Sequence, residues 1–175
     1  MKKINFFPAG FSLIELLVVV AISMILLGTT ISSLISFNER RSVTNAVDEL
    51  KSQIQTAKSK AQAGDLGGCS QLAGYSLKTY LNGNFTEISL QAVCGVGTAD
   101  AAQVQVLSSG VTVTPDLDAT FQVLNAGVQF AAGGTSQEIT ITNGTYIYTF
   151  VLYREGRSDV GTWNENQDPP PAEPF

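Results

Sequence analysis

Residues 13–37, LIELLVVVAISMILLGTTISSLISF, form an apolar run of 25 residues whose one charge is Glu15. Wound as a helix, such a run reaches about 37 Å at 1.5 Å per residue, and a bilayer's hydrocarbon core is about 30 Å thick. No other feature of the chain restricts its folding as strongly, because this surface must be covered by lipid or by protein. Lys2 and Lys3 precede it. Positive charge on that side keeps the N-terminal end cytoplasmic and sends the C-terminal part outward, although Arg40 and Arg41 on the far side oppose the rule. A cleaved secretory signal fits less well, since its apolar region is shorter and is followed by an A-x-A-like site. Here the small residues, Ala9 and Gly10, come before the run, and no cysteine near its start could take a lipid. Glu15 raises its own question, because a carboxylate at the bilayer centre costs about 2.5 kcal/mol or more.

The 175 residues leave room for one domain plus an appendage, with 15 acidic residues, 10 basic ones and no histidine. Without histidine there is no usual general base and no usual zinc ligand, and neither a Ser-His-Asp nor a Cys-His arrangement can be built. No cofactor and no enzymatic activity is expected. Cys69 and Cys94 fit neither a CxxC redox motif nor a four-ligand metal site. In a cytosolic protein they would be buried thiols; in an exported one a disulfide becomes the better reading.

Beyond residue 37 the composition turns polar but the helical period persists. Val43, Ala46, Val47, Leu50, Ile54, Ala57 and Ala61 recur in steps of three and four, an amphipathic stripe that predicts a core-packing helix face. Glu49, Lys51, Lys58 and Lys60 fall mostly outside it. Gly64 and the following DLGG end the helix, giving a near-continuous element over about 12–63, about 75 Å long, with Gly28, Thr29 and Thr30 as a flexible point. From Gly74 the period changes to two. GYSLKTYL and FTEISLQAV flank NGN, a hairpin signal. QVQVL and VTVT flank Ser108, Ser109 and Gly110, which reads as another hairpin. FQVL, VQFAA, EITIT and TYIYTFVLY follow, with Asn143-Gly144 between the last two. The expected class is α+β: a long transmembrane and amphipathic helix, then an antiparallel β domain of seven or eight short strands, in two packed sheets.

The stretch GFSLIE resembles the type III signal of type IV prepilins and pseudopilins: basic leader, Gly-Phe junction, glutamate spacing and long apolar run coincide. The plainer alternative is a signal anchor with an incidental glutamate. The resemblance implies that a prepilin peptidase cuts between Gly10 and Phe11 and that Phe11 is then N-methylated. It makes Glu15 the fifth residue of the mature chain, where that family's glutamate meets the N-terminal amine of a neighbouring subunit. Two charges that are each unfavourable in lipid are less so when paired between subunits, which would favour ordered insertion into a helical assembly. The implied partners are other pilin or pseudopilin subunits, the peptidase and methyltransferase, and an inner-membrane assembly platform. The implied location is the bacterial inner membrane, single-pass, with the C-terminal domain outside the cytoplasm, and then a pilus or pseudopilus. The resulting division is a leader over 1–10, a membrane or filament-core half-helix over 11–37, an amphipathic half-helix over 38–64, an exported β domain over 65–160 and a Pro-rich tail over 161–175.

Export shifts the cysteines towards a Cys69–Cys94 disulfide around the first hairpin, worth about 3 kcal/mol by loop closure; two reduced buried thiols are the alternative. The later stretch VQFAAGG…QEITITNGTYIYTFVLYREGRSDVG is similar to the end of the H-type pseudopilins of type II secretion and the T-type minor fimbrial pilins. The residues carrying that likeness are Phe130, Gly133 or Gly134, the runs 139–142 and 146–153, and Gly156-Arg157.

The remaining polar features read as structure. Asp116 and Asp118 beside Pro115 mark a solvated turn more readily than a calcium site. Asp159, Asn164, Asn166 and Asp168 offer oxygen ligands, but as a polar loop rather than a metal site. Asn84 and Asn143 each match an N-glycosylation sequon and sit in turn sequences. Trp163 either anchors the last strand or belongs to the tail, and DPPPAEPF reads as extended. The expected function is a minor pilin or pseudopilin, a non-enzymatic filament subunit. The alternative is a DNA-binding minor pilin of a competence system. Lys2 and Lys3 leave with the leader, so eight basic residues face 15 acidic ones, and nucleic acid is not expected as a partner.

Overall fold

A computed structural model describes residues 12–125 and 127–164. The chain divides into two units between Asn38 and Glu39. One helix, α1, covers Leu13–Ala63 and is continuous through residues 28–30. In the first unit Ser12 precedes the first turn, and its carbonyl accepts the N–H groups of Glu15 and Leu16 at 3.0 and 3.2 Å. The apolar side chains described there are exposed, Leu13 at 83% and Ile25 at 70%. Among the described residues no helix is long and apolar enough to cross a membrane. Side chains of the apolar run are described for residues 13–26 and for Phe37, so the membrane reading of 13–37 rests on sequence.

In the second unit all seven residues of the expected stripe are buried, at 0–5% exposure. Lys51, Lys58 and Lys60 flank the stripe and are half-buried: their stems lie along the domain while their ammonium groups reach oxygens or ring faces. The helix stops where Gly64 takes a left-handed φ of 67°. The Asp65 N–H returns to the Lys60 carbonyl and the Gly64 N–H to the Ala61 carbonyl, a Schellman closure.

Nine strands are described. β1 (Gln71–Asn82), β2 (Phe85–Val96), β3 (Gln103–Val106), β5 (Asp118–Gln122) and β6 (Val128–Phe130) form one sheet in the order β3-β2-β1-β5-β6. β4 (Thr112–Thr114), β7 (Ser136–Thr142), β8 (Ile147–Tyr153) and β9 (Thr162–Trp163) form the other, in the order β4-β7-β8-β9. All pairings are antiparallel. One hydrophobic cluster joins the α1 stripe to the inner residues of both sheets, including Leu77, Ile88, Phe121, Ile139, Phe150 and Leu152.

The hairpins at NGN and at Asn143-Gly144 form as expected. The hairpin expected around Ser108, Ser109 and Gly110 does not. β3 pairs with β2, while β4 pairs with β7 in the other sheet. Leu107 and Val111, on either side of the exposed turn 108–110, are both buried and anchor in the core the crossing from one sheet to the other. Two buried threonines hold the chain before and after β4. Thr86 Oγ1 donates to the Val111 carbonyl, and the Thr86 carbonyl accepts from the Leu107 N–H. Thr79 exchanges two bonds with Leu117: its N–H donates to the Leu117 carbonyl and its Oγ1 accepts the Leu117 N–H, each at 2.8 Å. Buried hydroxyls so paired avoid the cost of lone polar groups. FQVL also differs from expectation. The strand ends at Gln122, and Val123–Asn125 form a 3₁₀ turn in which Leu124 has a φ of 58°. β9 lies past residue 160, where a tail was expected to begin.

Candidate functional site

Glu15 occupies the first turn of α1 and is exposed. The first-turn N–H groups of a helix lack partners in the turn before them, and the helix dipole is positive there, so a carboxylate is favoured in the monomer itself. Beside the intersubunit contact that the resemblance implies, the position of Glu15 thus adds an intrahelical contribution. Around and beyond it Leu13, Ile14, Leu16, Leu17, Val18 and Val19 expose their side chains. A solvent-facing surface of this kind is unfavourable in water and suited to lipid or to packing against other helices. Gly10 and Phe11, the expected processing positions, lie outside the described residues.

Cys69 and Cys94 form a disulfide. It ties the turn after α1 to β2, beside the irregular β1–β2 register at Leu72. Backbone bonds run alongside it, from the Ser70 N–H to the Val96 carbonyl and from the Asp100 N–H to the Gly67 carbonyl. Next to this junction lies a surface pocket of about 130 Å³ lined by Lys60, Asp65, Tyr75, Gln91 and Asp100 among others. Burial, and then the negative charges of Asp65 and Asp100, hold the Tyr75 phenol above its ordinary pKa.

The other polar candidates have structural partners. Asp118 is not in a turn: it opens β5 opposite Lys78 and pairs with it at 2.8 Å. The Asp116 carbonyl accepts from Gln137 Nε2. Asp159 Oδ1 accepts the Val151 N–H, and the Asp159 carbonyl accepts from Lys51 Nζ. The Asn164 N–H donates to the Ile147 carbonyl; Asn166 and Asp168 lie outside the described residues. Among the described residues no three His, Cys, Asp or Glu side chains are grouped to hold a metal ion.

Asn84 is exposed at the first hairpin turn. Asn143 does more than turn the chain. Its Oδ1 accepts the N–H groups of Thr145 and Tyr146, while its Nδ2 donates to the Glu39 carbonyl at 2.9 Å and to Ser42 Oγ at 3.3 Å. The β7–β8 turn is thereby fastened to α1, a role that a turn signature alone does not reveal. Trp163 also belongs to the domain. Its ring meets Tyr148 edge-on at 5.0 Å between centroids, and the Arg40 guanidinium lies 5.1 Å from the ring centroid. Nothing in the local sequence linked positions 40 and 163.

Compared with known proteins, residues 8–31 match the prokaryotic N-terminal methylation motif. No curated protein and no solved structure matches the chain. The matched segment spans the Gly10-Phe11 junction, Glu15 and the start of α1, so the chain carries a type IV prepilin signal, and that signal supports a type IV pilin-like protein that is processed by prepilin peptidase and assembles with other pilins.

Proposed function

We propose that the chain is a minor pilin or pseudopilin, a structural subunit and not a catalyst. It is cut after Gly10, methylated at Phe11 and held in the inner membrane by residues 13–37, with the disulfide-bonded domain outside the cytoplasm. From there it enters a type IV pilus or a type II secretion pseudopilus, with affinity for the H-type pseudopilin and T-type minor pilin group. The observation that carries the reading is that the methylation motif over residues 8–31 includes the start of an exposed apolar helix with Glu15 in its first turn. A subunit that must leave a bilayer for a filament needs such a surface, since lipid and neighbouring helices can each cover it.

The test is Glu15→Ala in the native host, compared with wild type at equal protein level. Cleavage after Gly10, read from the intact mass and the N-terminal peptide, persists, and the chain still fractionates with membranes, because a neutral side chain is easier to bury in lipid. Recovery in sheared filaments or in the secretion apparatus drops by at least about tenfold, since leaving one charge of a buried intersubunit pair without its partner costs about 3–5 kcal/mol and a factor of ten needs only about 1.4. Incorporation equal to wild type would remove the intersubunit role of Glu15. A native chain beginning at Met1, or inside the apolar run, would remove the processing scheme.

A further inference from the structure

The two arginines that oppose the orientation rule lie in a specific place. Arg40 and Arg41 follow the last residue of the apolar run, Phe37, by three and four positions. At the helical rise Arg40 stands about 4.5 Å beyond Phe37, and the headgroup layer on each side of a bilayer is about 5–7 Å deep. If the run fills the hydrocarbon core, both guanidinium groups fall at the level of the lipid phosphates. Arg41 is exposed, and Arg40 is half-buried because its guanidinium lies on the face of Trp163. That indole is brought here from the far end of the domain. β9 pairs Trp163 with Tyr148 and Thr162 with Thr149, and the Tyr148 hydroxyl donates to the Val160 carbonyl just before the strand. The ring is partly buried against the core with one edge on Tyr148. Tryptophan is enriched at membrane interfaces because its ring is apolar and its N–H polar, and arginine offers five donors suited to a phosphate. Glu39 is the acidic neighbour on the same turn, leaving the segment 39–41 with a net positive charge.

We propose that Trp163, Arg40 and Arg41 form an interfacial anchor that seats the exported domain on the phosphates of the leaflet it faces. The inference rests on the reading that residues 13–37 cross the bilayer. The guanidinium groups bind lipid phosphate, and the stacked indole lies at the headgroup boundary. On this account the arginines do not act as an orientation signal; they hold the domain down until the subunit is drawn into a filament. Entry into a filament must then break this contact, so the anchor sets how readily the domain leaves the membrane surface.

Trp163 is the chain's single tryptophan, so its fluorescence reports on this contact alone. The full-length chain is reconstituted into phosphatidylcholine vesicles with and without phosphatidylglycerol. The phosphatidylcholine is brominated either high on the acyl chain or near its methyl end. Flotation shows whether the chain is in the bilayer, and bromine quenching shows whether Trp163 is at its surface. The expected result is flotation, strong quenching by the shallow bromine, weak quenching by the deep one, and about a twofold gain in shallow quenching with the anionic lipid. Arg40→Gln with Arg41→Gln loses that gain. Arg41→Gln alone, which leaves the ring contact of Arg40 in place, loses part of it. A chain that floats but whose Trp163 is untouched by either bromine overturns the anchor and leaves the membrane reading standing. Quenching that is the same in wild type and the double variant overturns the role of the arginines. A chain that does not float removes the membrane reading and the anchor with it.

Discussion

Replacing Cys69 and Cys94 together by alanine isolates what the disulfide contributes. The bond closes a loop with a sequence separation of 25. In the chain-entropy treatment a loop of that size removes about 12 cal/mol/K from the unfolded ensemble, or about 3.5 kcal/mol at 25 °C. The native state keeps its own fastening at this place, because the bonds from Ser70 to Val96 and from Asp100 to Gly67 do not involve sulfur. The loss therefore acts through the unfolded chain, and the folded domain of the variant retains its structure. A change of about 3.5 kcal/mol raises the unfolding constant about 400-fold. With an m value of about 2 kcal/mol/M, it lowers the urea midpoint by about 1.7 M. The measurement is a urea titration of the full chain in detergent micelles, followed by Trp163 fluorescence, which reports on the domain that holds the bond. Wild type treated with reductant is expected to reproduce the variant's curve. A midpoint lowered by less than about 0.5 M, at an unchanged m value, would refute the argument, since the loop would then be no less restricted without the bond.

Two further outcomes are expected. Asn143→Ala removes the bonds to Glu39 and Ser42 and the two turn bonds, and lowers stability by about 1–3 kcal/mol in the same titration; Asn143→Asp, which keeps the acceptor for Thr145 and Tyr146, loses less. The Tyr75 phenol titrates above its ordinary value, read by ultraviolet difference absorbance, and Asp65→Asn lowers it. Because the folded-state pKa is raised, the associated stability is fully present below about pH 10 and is lost as the pH rises through the folded value.

Local signals carried a definite part of this fold. The stripe from Val43 to Ala61 is legible because a helix returns to the same face every 3.6 residues whatever it packs against, and all seven of its residues are buried. Gly64 is legible as a stop because a left-handed φ is cheap for glycine. The Asn-Gly turns are legible because tight hairpins demand their backbone angles, and both hairpins form. The prepilin signal is a linear motif of residue types at fixed spacing, so the positions from Gly10 to Glu15 suffice to expose it.

Only the tertiary structure decided which strands share a sheet. A period of two says that a strand has two faces and does not say which edge it meets. QVQV and VTVT therefore looked like partners, while the burial of Leu107 and Val111 and the bonds of Thr86 send them to different sheets. The same limit hid the fastening of Asn143 to Glu39 and the placing of Trp163 on Arg40, separated by 104 and 123 positions in sequence. Such contacts exist only after the core has closed, because the hydrophobic burial that brings these segments together has no direction and no sequence spacing of its own.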